Sequence, residues 1–300
     1  MADTTLGPAP ASTAVDVRAR ARARQGATAE TIQSLLLQLV VLLGAALMLL
    51  PLVWMVSTSL KPPSEVLTWP PQLIPKAPTL ENYAGVFEAA PFGRFFLNSL
   101  LVSIVSTVAI LATSSLAGFV FAKYSFPLKT VLFVLVLATA MVPFETYMLP
   151  LYLLMKDLEW INTYQGLVAP YVIMSFGIFF MRQAIGSSIP DELLDAARID
   201  GSSELGLYWR IILPLSTGAL GALGIFAFMQ AWAAFIWPLL MTSSNDLSTM
   251  ELGLGLFQNR FTVDYGLITA GSSLSFFAVL AAFLFFRRHI IQGITLTGMK

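Results

Sequence analysis

Residues 191–214 read Asp-Glu-Leu-Leu-Asp-Ala-Ala-Arg-Ile-Asp-Gly-Ser-Ser-Glu-Leu-Gly-Leu-Tyr-Trp-Arg-Ile-Ile-Leu-Pro, a charged stretch inside an otherwise apolar chain. Five acidic residues and two arginines lie within it. Moving them into hydrocarbon would cost several kcal/mol for each charge. The stretch therefore lies in water or against another protein, and the apolar remainder of the chain is arranged around it.

The local pattern of this stretch predicts two short helices joined by a turn. Ser188 lies three residues before Asp191, which is the spacing of a capping box at the start of the first helix. Gly201 is expected to end that helix, and Ser202 or Ser203 to cap the second one. The second helix carries an apolar stripe at helical spacing, made of Leu205, Tyr208, Trp209 and Ile212.

The composition indicates an integral membrane protein. Hydrophobic residues make up 57% of the 300 residues and charged residues 11%, against roughly 45–50% and 25% in soluble chains. The predicted fold class is therefore an all-α membrane protein with six transmembrane helices. The six apolar runs that predict these helices are 35–56, 95–121, 130–155, 165–181, 215–241 and 265–286.

The two ends of the chain are predicted to be cytoplasmic tails. Residues 1–30 hold too little apolar mass to fold and are expected to form a disordered basic tail. Residues 31–290 would form the transmembrane domain, and 291–300 a C-terminal tail. Six spans put both tails and the charged stretch on one side, which carries twelve Lys and Arg against five on the other. The positive-inside rule places that side in the cytoplasm.

The charged stretch also resembles a known motif. The residues that carry the resemblance are Asp195-Ala196-Ala197, Gly201, Ile211 and Leu213-Pro214. Their spacing is similar to that of the EAA loop in permease subunits of binding-protein-dependent ABC importers, with Asp instead of Glu at the first position. Similarity to sugar-type members covers most of residues 92–300, and the ending, 293–300, resembles the second of the two permeases in maltose-type importers.

The resemblance implies a division of work among subunits. This chain and a second permease subunit would form the pore in a bacterial cytoplasmic membrane, above an ATPase dimer and below an extracytoplasmic solute-binding protein. ATP and Mg²⁺ would be bound by the ATPase, so this chain would carry no cofactor. The coupling loop, residues 186–214, would act as a lever on the ATPase. Its contact residues would be Asp195, Ala196, Ala197, Arg198, Asp200, Gly201, Ile211, Leu213 and Pro214.

Catalytic and metal-binding patterns are absent from the sequence. It contains no Gly-x-x-x-x-Gly-Lys-Ser/Thr loop, no His-Glu-x-x-His and no Cys, and His289 is its only histidine. The chain is therefore predicted not to be an enzyme and to hold no metal. A formal net charge of zero gives no indication of a nucleic-acid partner, whereas the apolar runs require membrane lipid.

A solute path is predicted from the few polar residues within the spans. Glu145 is the one clear ionisable group there, although it could equally lie at the outer interface. Sugars need hydroxyl partners and a flat apolar ring face. The spans lack Lys and Arg, which favours a neutral solute such as a sugar or polyol. The candidates, each of which could instead serve helix packing, are Asn98, Glu145, Tyr147, Gln230 and Trp232.

Other classes of protein stay open on the sequence alone. A secondary transporter would need coupling-ion groups and usually a repeat with broken helices in both halves. A membrane-embedded enzyme or a scaffold protein would not require the charged stretch at all. The family resembled here often has polar residues where Ala233 and Ala234 stand, so the fifth span departs from it at these two positions.

Overall fold

The structure is a computed structural model that describes residues 12–257 and 263–297, with side chains described for 33–257 and 263–287. These ranges contain helices and no β-strand. Short 3-10 turns cover Ala169–Tyr171 and Gly255–Phe257, and a π-helical turn covers Tyr208–Ile212. The α-helices are α1 (Ser12–Ser59), α2 (Pro63–Val66), α3 (Glu81–Ala89), α4 (Phe92–Lys123), α5 (Lys129–Ala140), α6 (Phe144–Asp157), α7 (Tyr164–Val168), α8 (Ser175–Ser188), α9 (Asp191–Ile199), α10 (Glu204–Leu207), α11 (Leu213–Leu215), α12 (Thr217–Trp232), α13 (Ile236–Met241), α14 (Met250–Leu254) and α15 (Tyr265–Thr297).

The lengths and compositions of these helices give six membrane spans. Three spans are single helices, at Gln33–Ser59, Phe92–Lys123 and Tyr265–Arg287. The other three are bent pairs whose halves meet at 97°, 49° and 78°. The pairs are Lys129–Ala140 with Phe144–Asp157, Tyr164–Tyr171 with Ser175–Ser188, and Glu204–Leu215 with Thr217–Trp232. The predicted all-α, six-span fold class is confirmed.

The chain divides into two compact units, one ending at Met55 and the other beginning at Val56. The prediction of a disordered tail in the first unit is wrong for residues 12–30, because α1 is helical from Ser12 onward. Alanine and arginine, which are abundant in this segment, are among the strongest helix formers. Residues 1–11 lie outside the described part of the chain. At the other end, α15 continues to Thr297, through most of the predicted C-terminal tail.

The third span bends at a proline. α5 ends at Ala140, and α6 begins directly after Pro143, which has an extended backbone with ψ of 141°. A proline has no N–H for a helical hydrogen bond and disfavours helical geometry in the residue before it. The apolar run over 130–155 is therefore two helices set at a sharp angle rather than one straight helix.

The fifth span is also interrupted, and the prediction of one continuous helix over 215–241 is wrong. α12 ends at Trp232, and α13 begins only at Ile236. Pro238 cannot donate a hydrogen bond to the carbonyl four residues earlier, and its ring would clash with that carbonyl. The helix therefore breaks just before α13.

α4 is the helix around which the second unit is packed, chiefly against α8 and α12. A Cβ atom at Gly118 would lie 2.7 Å from the Cβ of Met181 and 2.9 Å from the backbone nitrogen of Arg182, so α4 and α8 touch at their backbones. Small side chains allow neighbouring helices to approach this closely. The buried face of α4 accordingly contains Ser99, Ser103, Ser106, Ser114 and Ser115.

We expect Gly118→Ala to destabilise the protein. The new methyl group would meet the backbone of α8, which cannot move aside without separating the helices, so the melting temperature of the detergent-purified protein should fall by about 4 °C or more. Gly186→Ala on α8 is the matched control, since a Cβ there meets nothing within 4 Å. Equal melting temperatures for the two variants would contradict this account of the α4–α8 contact.

Candidate functional site

The coupling loop contains α9, which begins differently from the prediction. α8 continues to Ser188, and Pro190 takes the N-cap position of α9 in an extended conformation, with no side-chain cap. The capping box predicted at Ser188 is therefore wrong, because that residue belongs to the preceding helix. Asp191 and Glu192 lie in the first turn of α9, where the helix dipole favours acidic side chains.

α9 ends at Gly201 as predicted, in a Schellman motif. The N–H of Gly201 donates to the carbonyl of Arg198 at 3.0 Å, and the N–H of Ser202 donates to that of Ala197 at 2.9 Å. Gly201 has a φ of +84°, in the left-handed region that side chains disfavour. Ser203 then caps the second helix by accepting a backbone N–H at 3.1 Å. The turn between the helices is thus fixed by hydrogen bonds on both sides.

The second helix of the loop shows two faces where the sequence predicts one apolar stripe. Tyr208 and Ile212 are buried, and the Tyr208 hydroxyl lies 2.6 Å from the hydroxyl of Ser115 on α4. Leu205 and Trp209 are instead 68% and 66% exposed. Only one flank of the stripe faces the core, so the prediction holds for two of its four residues.

Arg198 joins the two helices of the coupling loop. Its guanidinium donates to the carboxylate of Asp195 at 2.8 Å and, across the turn, to that of Glu204 at 3.1 Å. The hydroxyl of Tyr124, which directly follows α4, donates to the same Glu204 carboxylate. Hydrogen bonds to Glu204 and then to Asp195 hold the pKa of Arg198 above its usual range. Two residues predicted to contact an ATPase, Asp195 and Arg198, are therefore paired with each other.

A second ion pair holds the start of α9. The ammonium of Lys123, the last residue of α4, donates to the carboxylate of Asp191 at 2.6 Å and to the carbonyl of Ile189. The hydrogen bond and the charge of Lys123 hold the pKa of Asp191 below its ordinary value. Sequence patterns do not single out Lys123 or Tyr124. Their position directly after an apolar span, where such residues commonly anchor a helix end, is the signal that could have found them.

The other residues predicted for coupling divide between the core and the surface. Those that pack against the buried core around Leu194 are Ala197, Ile211 and Leu213. Those that are exposed are Ala196, Asp200, Gly201 and Pro214. The outer surface of the loop is largely apolar, because Ile199, which is 86% exposed, lies near the exposed Leu205 and Trp209 in the sequence. Large exposed apolar side chains of this kind mark contact surfaces.

A cavity of about 380 Å³ lies where the breaks in three spans meet. Tyr147 comes from the start of α6, Tyr171 from the end of the first half of the fourth span, and Gln230 and Trp237 from either side of the break before α13. Aromatic rings form much of its wall, and none of the described residues that line it is charged. Pro143, Pro170 and Pro238 stand near the breaks, so the prolines are the sequence signal that could have located it.

Two of the five predicted path residues, Tyr147 and Gln230, line this cavity. Ala233 and Ala234 line it as well, so at these two positions the wall offers methyl groups. Glu145 lies in the first turn of α6 with an exposed side chain and is not among the lining residues. Its assignment to the solute path is therefore not supported by its position.

Asn98 and Trp232 hold helices together instead of lining the cavity. The buried amide of Asn98 donates to the carbonyls of Asp246 and Ser248, both at 2.9 Å, and its oxygen accepts from the hydroxyl of Tyr164 at 2.7 Å. The indole N–H of Trp232 donates to the hydroxyl of Ser275 on α15 at 2.8 Å. The alternative that these residues serve helix packing is the one the structure supports.

Six helical spans, a cavity at the breaks of three of them and an exposed helical loop define a membrane transport permease. Residues 114–294 match the family described as binding-protein-dependent transport system inner membrane component, and the chain belongs to this family. Such a component is a multi-pass membrane protein and is not itself an ATPase.

Named relatives cover most of the chain. It is 38% identical to the arabinooligosaccharides transport system permease protein AraQ of Halalkalibacterium halodurans, over 83% of this chain and 90% of that protein. It is 30% identical to the sn-glycerol-3-phosphate transport system permease protein UgpE of Yersinia enterocolitica, over 84% and 92%. The fold matches a chain in the crystal structure of a bacterial ABC transporter involved in the import of the acidic polysaccharide alginate, with a TM-score of 0.76, 18% identity and coverage of 87% and 97%.

We expect Gly201→Ala to weaken the turn of the coupling loop. A Cβ at this position meets nothing within 4 Å, so the cost arises from the left-handed backbone alone and should be about 1 kcal/mol. Gly201→Asn should cost less, because asparagine tolerates this conformation better. Thermal unfolding of the two purified variants measures the difference, and an alanine variant as stable as the parent would contradict the assigned strain.

Proposed function

We propose that this chain is one of two permease subunits of an ABC importer for a saccharide or a related neutral polyol. The observation that carries the proposal is the coupling loop, which stands in a member of this permease family as a rigid helical pair with an apolar outer surface. The chain would form half of the translocation path. A second permease subunit would form the other half, and an extracytoplasmic binding protein would deliver the solute.

The ATPase partner would bind the coupling loop mainly through apolar contacts. Asp195 and Arg198 are paired within the chain, so they would shape the loop rather than contact the ATPase. Ile199, Leu205 and Trp209 are the large exposed groups that remain for docking, next to the small and exposed Ala196. ATP and Mg²⁺ would be held by the ATPase dimer, whose closure would pull the loop as one body.

The orientation follows from the distribution of positive charge. The side that carries the coupling loop and both termini has twelve Lys and Arg against five on the other side. We therefore place the loop and the termini in the cytoplasm of a bacterium. This orientation brings the apolar outer surface of the loop to the side where a nucleotide-hydrolysing subunit would have ATP.

The chemistry of the cavity supports a neutral solute. Tyr147 and Gln230 offer a hydroxyl and an amide for hydrogen bonds, while the ring of Trp237 offers the flat apolar face that suits a sugar ring. The relatives named above include permeases for an oligosaccharide and for a phosphate ester. A phosphate ester would favour a cation in the wall, and the described lining residues supply none. They also supply no carboxylate for a coupling ion, which counts against a secondary transporter.

We expect Gly201→Trp and Ala197→Arg each to abolish uptake in cells that express the complete importer. The first variant forces a large side chain onto a left-handed residue, and the second places a charge against the core beneath the loop. Both proteins should still reach the membrane. Gly186→Ala, in the helix before the loop, is the control and should transport normally. Normal uptake by both loop variants would overturn the lever mechanism.

We expect Gln230→Ala and Tyr147→Phe to raise the solute concentration needed for half-maximal uptake by about tenfold, because each removes one hydrogen-bonding group from the cavity wall. Co-purification of the ATPase should not change. Tyr152→Phe serves as the control, since no hydrogen bond of the Tyr152 hydroxyl is found among the described residues. An excess of a phosphate ester should not compete for uptake. Unchanged uptake in both variants would remove the cavity from the solute path.

A further inference from the structure

Two adjacent residues at the end of α4 hold both ends of α9. Lys123 binds the N-terminal end, through the carboxylate of Asp191 and the carbonyl of Ile189. Tyr124 binds the C-terminal end, through Glu204, which in turn is hydrogen-bonded to Arg198. We call Lys123, Tyr124, Asp191, Arg198 and Glu204 together the α4 clasp. Its contacts fix the position and the angle of α9 on α4.

The surroundings of the α4 clasp make its contacts stronger than ordinary surface ion pairs. The Lys123 side chain is only 5% exposed, although that of Asp191 is 75% exposed. The ring of Tyr124 packs edge to face on Phe119 at 5.2 Å, and the guanidinium of Arg198 lies 5.9 Å from the centre of the same ring. Charge-assisted hydrogen bonds with a partly buried donor are stronger and shorter than exposed ones.

The opposite end of α4 is joined to another loop. Arg94 pairs with the carboxylate of Asp246 at 2.7 Å, and Asn98 donates to the carbonyls of Asp246 and Ser248. The N–H of Met250 donates to the hydroxyl of Ser99 at 2.7 Å. Residues 246–250 are therefore hydrogen-bonded to the first two turns of α4.

α4 is suited to carry motion between these two loops. It runs unbroken for 32 residues, or about 48 Å, while the third, fourth and fifth spans are bent pairs. A straight helix transmits a displacement along its axis, whereas a bent pair can absorb it at the break. α4 also packs along both α8 and α12, which keeps it from moving alone.

We propose that Lys123 and Tyr124 are positioning residues of energy coupling. The α4 clasp makes the coupling loop and α4 move as one body, so that a pull on the loop by the ATPase reaches residues 246–250 at the far end. This inference rests on the proposed function. It differs from a docking role, because neither Lys123 nor Tyr124 needs to touch the ATPase.

The test follows the far end of α4 and does not require the solute. The chain has no cysteine of its own, so Asn245→Cys places a single exposed probe beside the 246–250 segment. The complete importer, purified through this chain together with the subunits that accompany it, is treated with a water-soluble maleimide. The rate at which the probe on this chain is labelled is measured with and without ATP and vanadate.

In the parent, ATP and vanadate should change the labelling rate. Lys123→Met and Tyr124→Phe should each reduce this change at least about fivefold while the ATPase remains bound and the melting temperature stays within about 2 °C. Lys156→Met and Tyr152→Phe are the matched controls and should behave as the parent. Asp191→Asn combined with Lys123→Met should be no worse than Lys123→Met alone, because the two residues share one interaction.

The outcomes separate this inference from the proposed function. If no ATPase accompanies the parent chain, the proposed function fails. If the ATPase is present but ATP leaves the parent probe unchanged, or changes it equally in the clasp variants, only the inference fails. A loss of ATPase binding or of thermal stability together with the labelling change would assign the α4 clasp to folding alone and would also overturn the inference.

Discussion

Hydrocarbon offers no hydrogen bonds, and this constraint decides where the chain stays helical and where it can break. α4 and the apolar part of α15 run without a break. The interruptions in the third, fourth and fifth spans meet at one cavity, which is lined by residues beside each break. The breaks are therefore tolerated because protein and cavity cover the backbone groups they release. The same constraint keeps the charged coupling loop out of the hydrocarbon, where each of its ions would be costly.

The polar side chains of the second unit follow the same logic at the level of single residues. Asn98 spends its whole amide on two carbonyls and one hydroxyl, and Trp232 spends its N–H on a serine. Buried polar groups without partners would destabilise the fold, so such residues are occupied in joining helices. Gln230 and Tyr147 differ from them because they face an open space. This difference separates residues that hold the protein together from those that can meet a solute.

The sequence predicted what depends on short-range pattern. Run lengths gave the spans, and Gly201 and Ser203 gave the turn, because each of these signals acts within a few residues. Partners distant in the chain could not be predicted. Whether Asn98 lines a path or binds residues 246–248 depends on how two remote segments pack. The error at residues 12–30 had another cause, since mean composition was weighed above the helix propensity of alanine and arginine.

The Schellman motif at Gly201 and the pairing of Arg198 across it give the coupling loop its shape from bonds within one chain. Its conformational entropy is lost when this chain folds and not when another subunit arrives. A preorganised surface binds more favourably than one that must order itself on contact. Assembly at this loop therefore joins two finished surfaces, and repeated cycles of movement need not refold either of them.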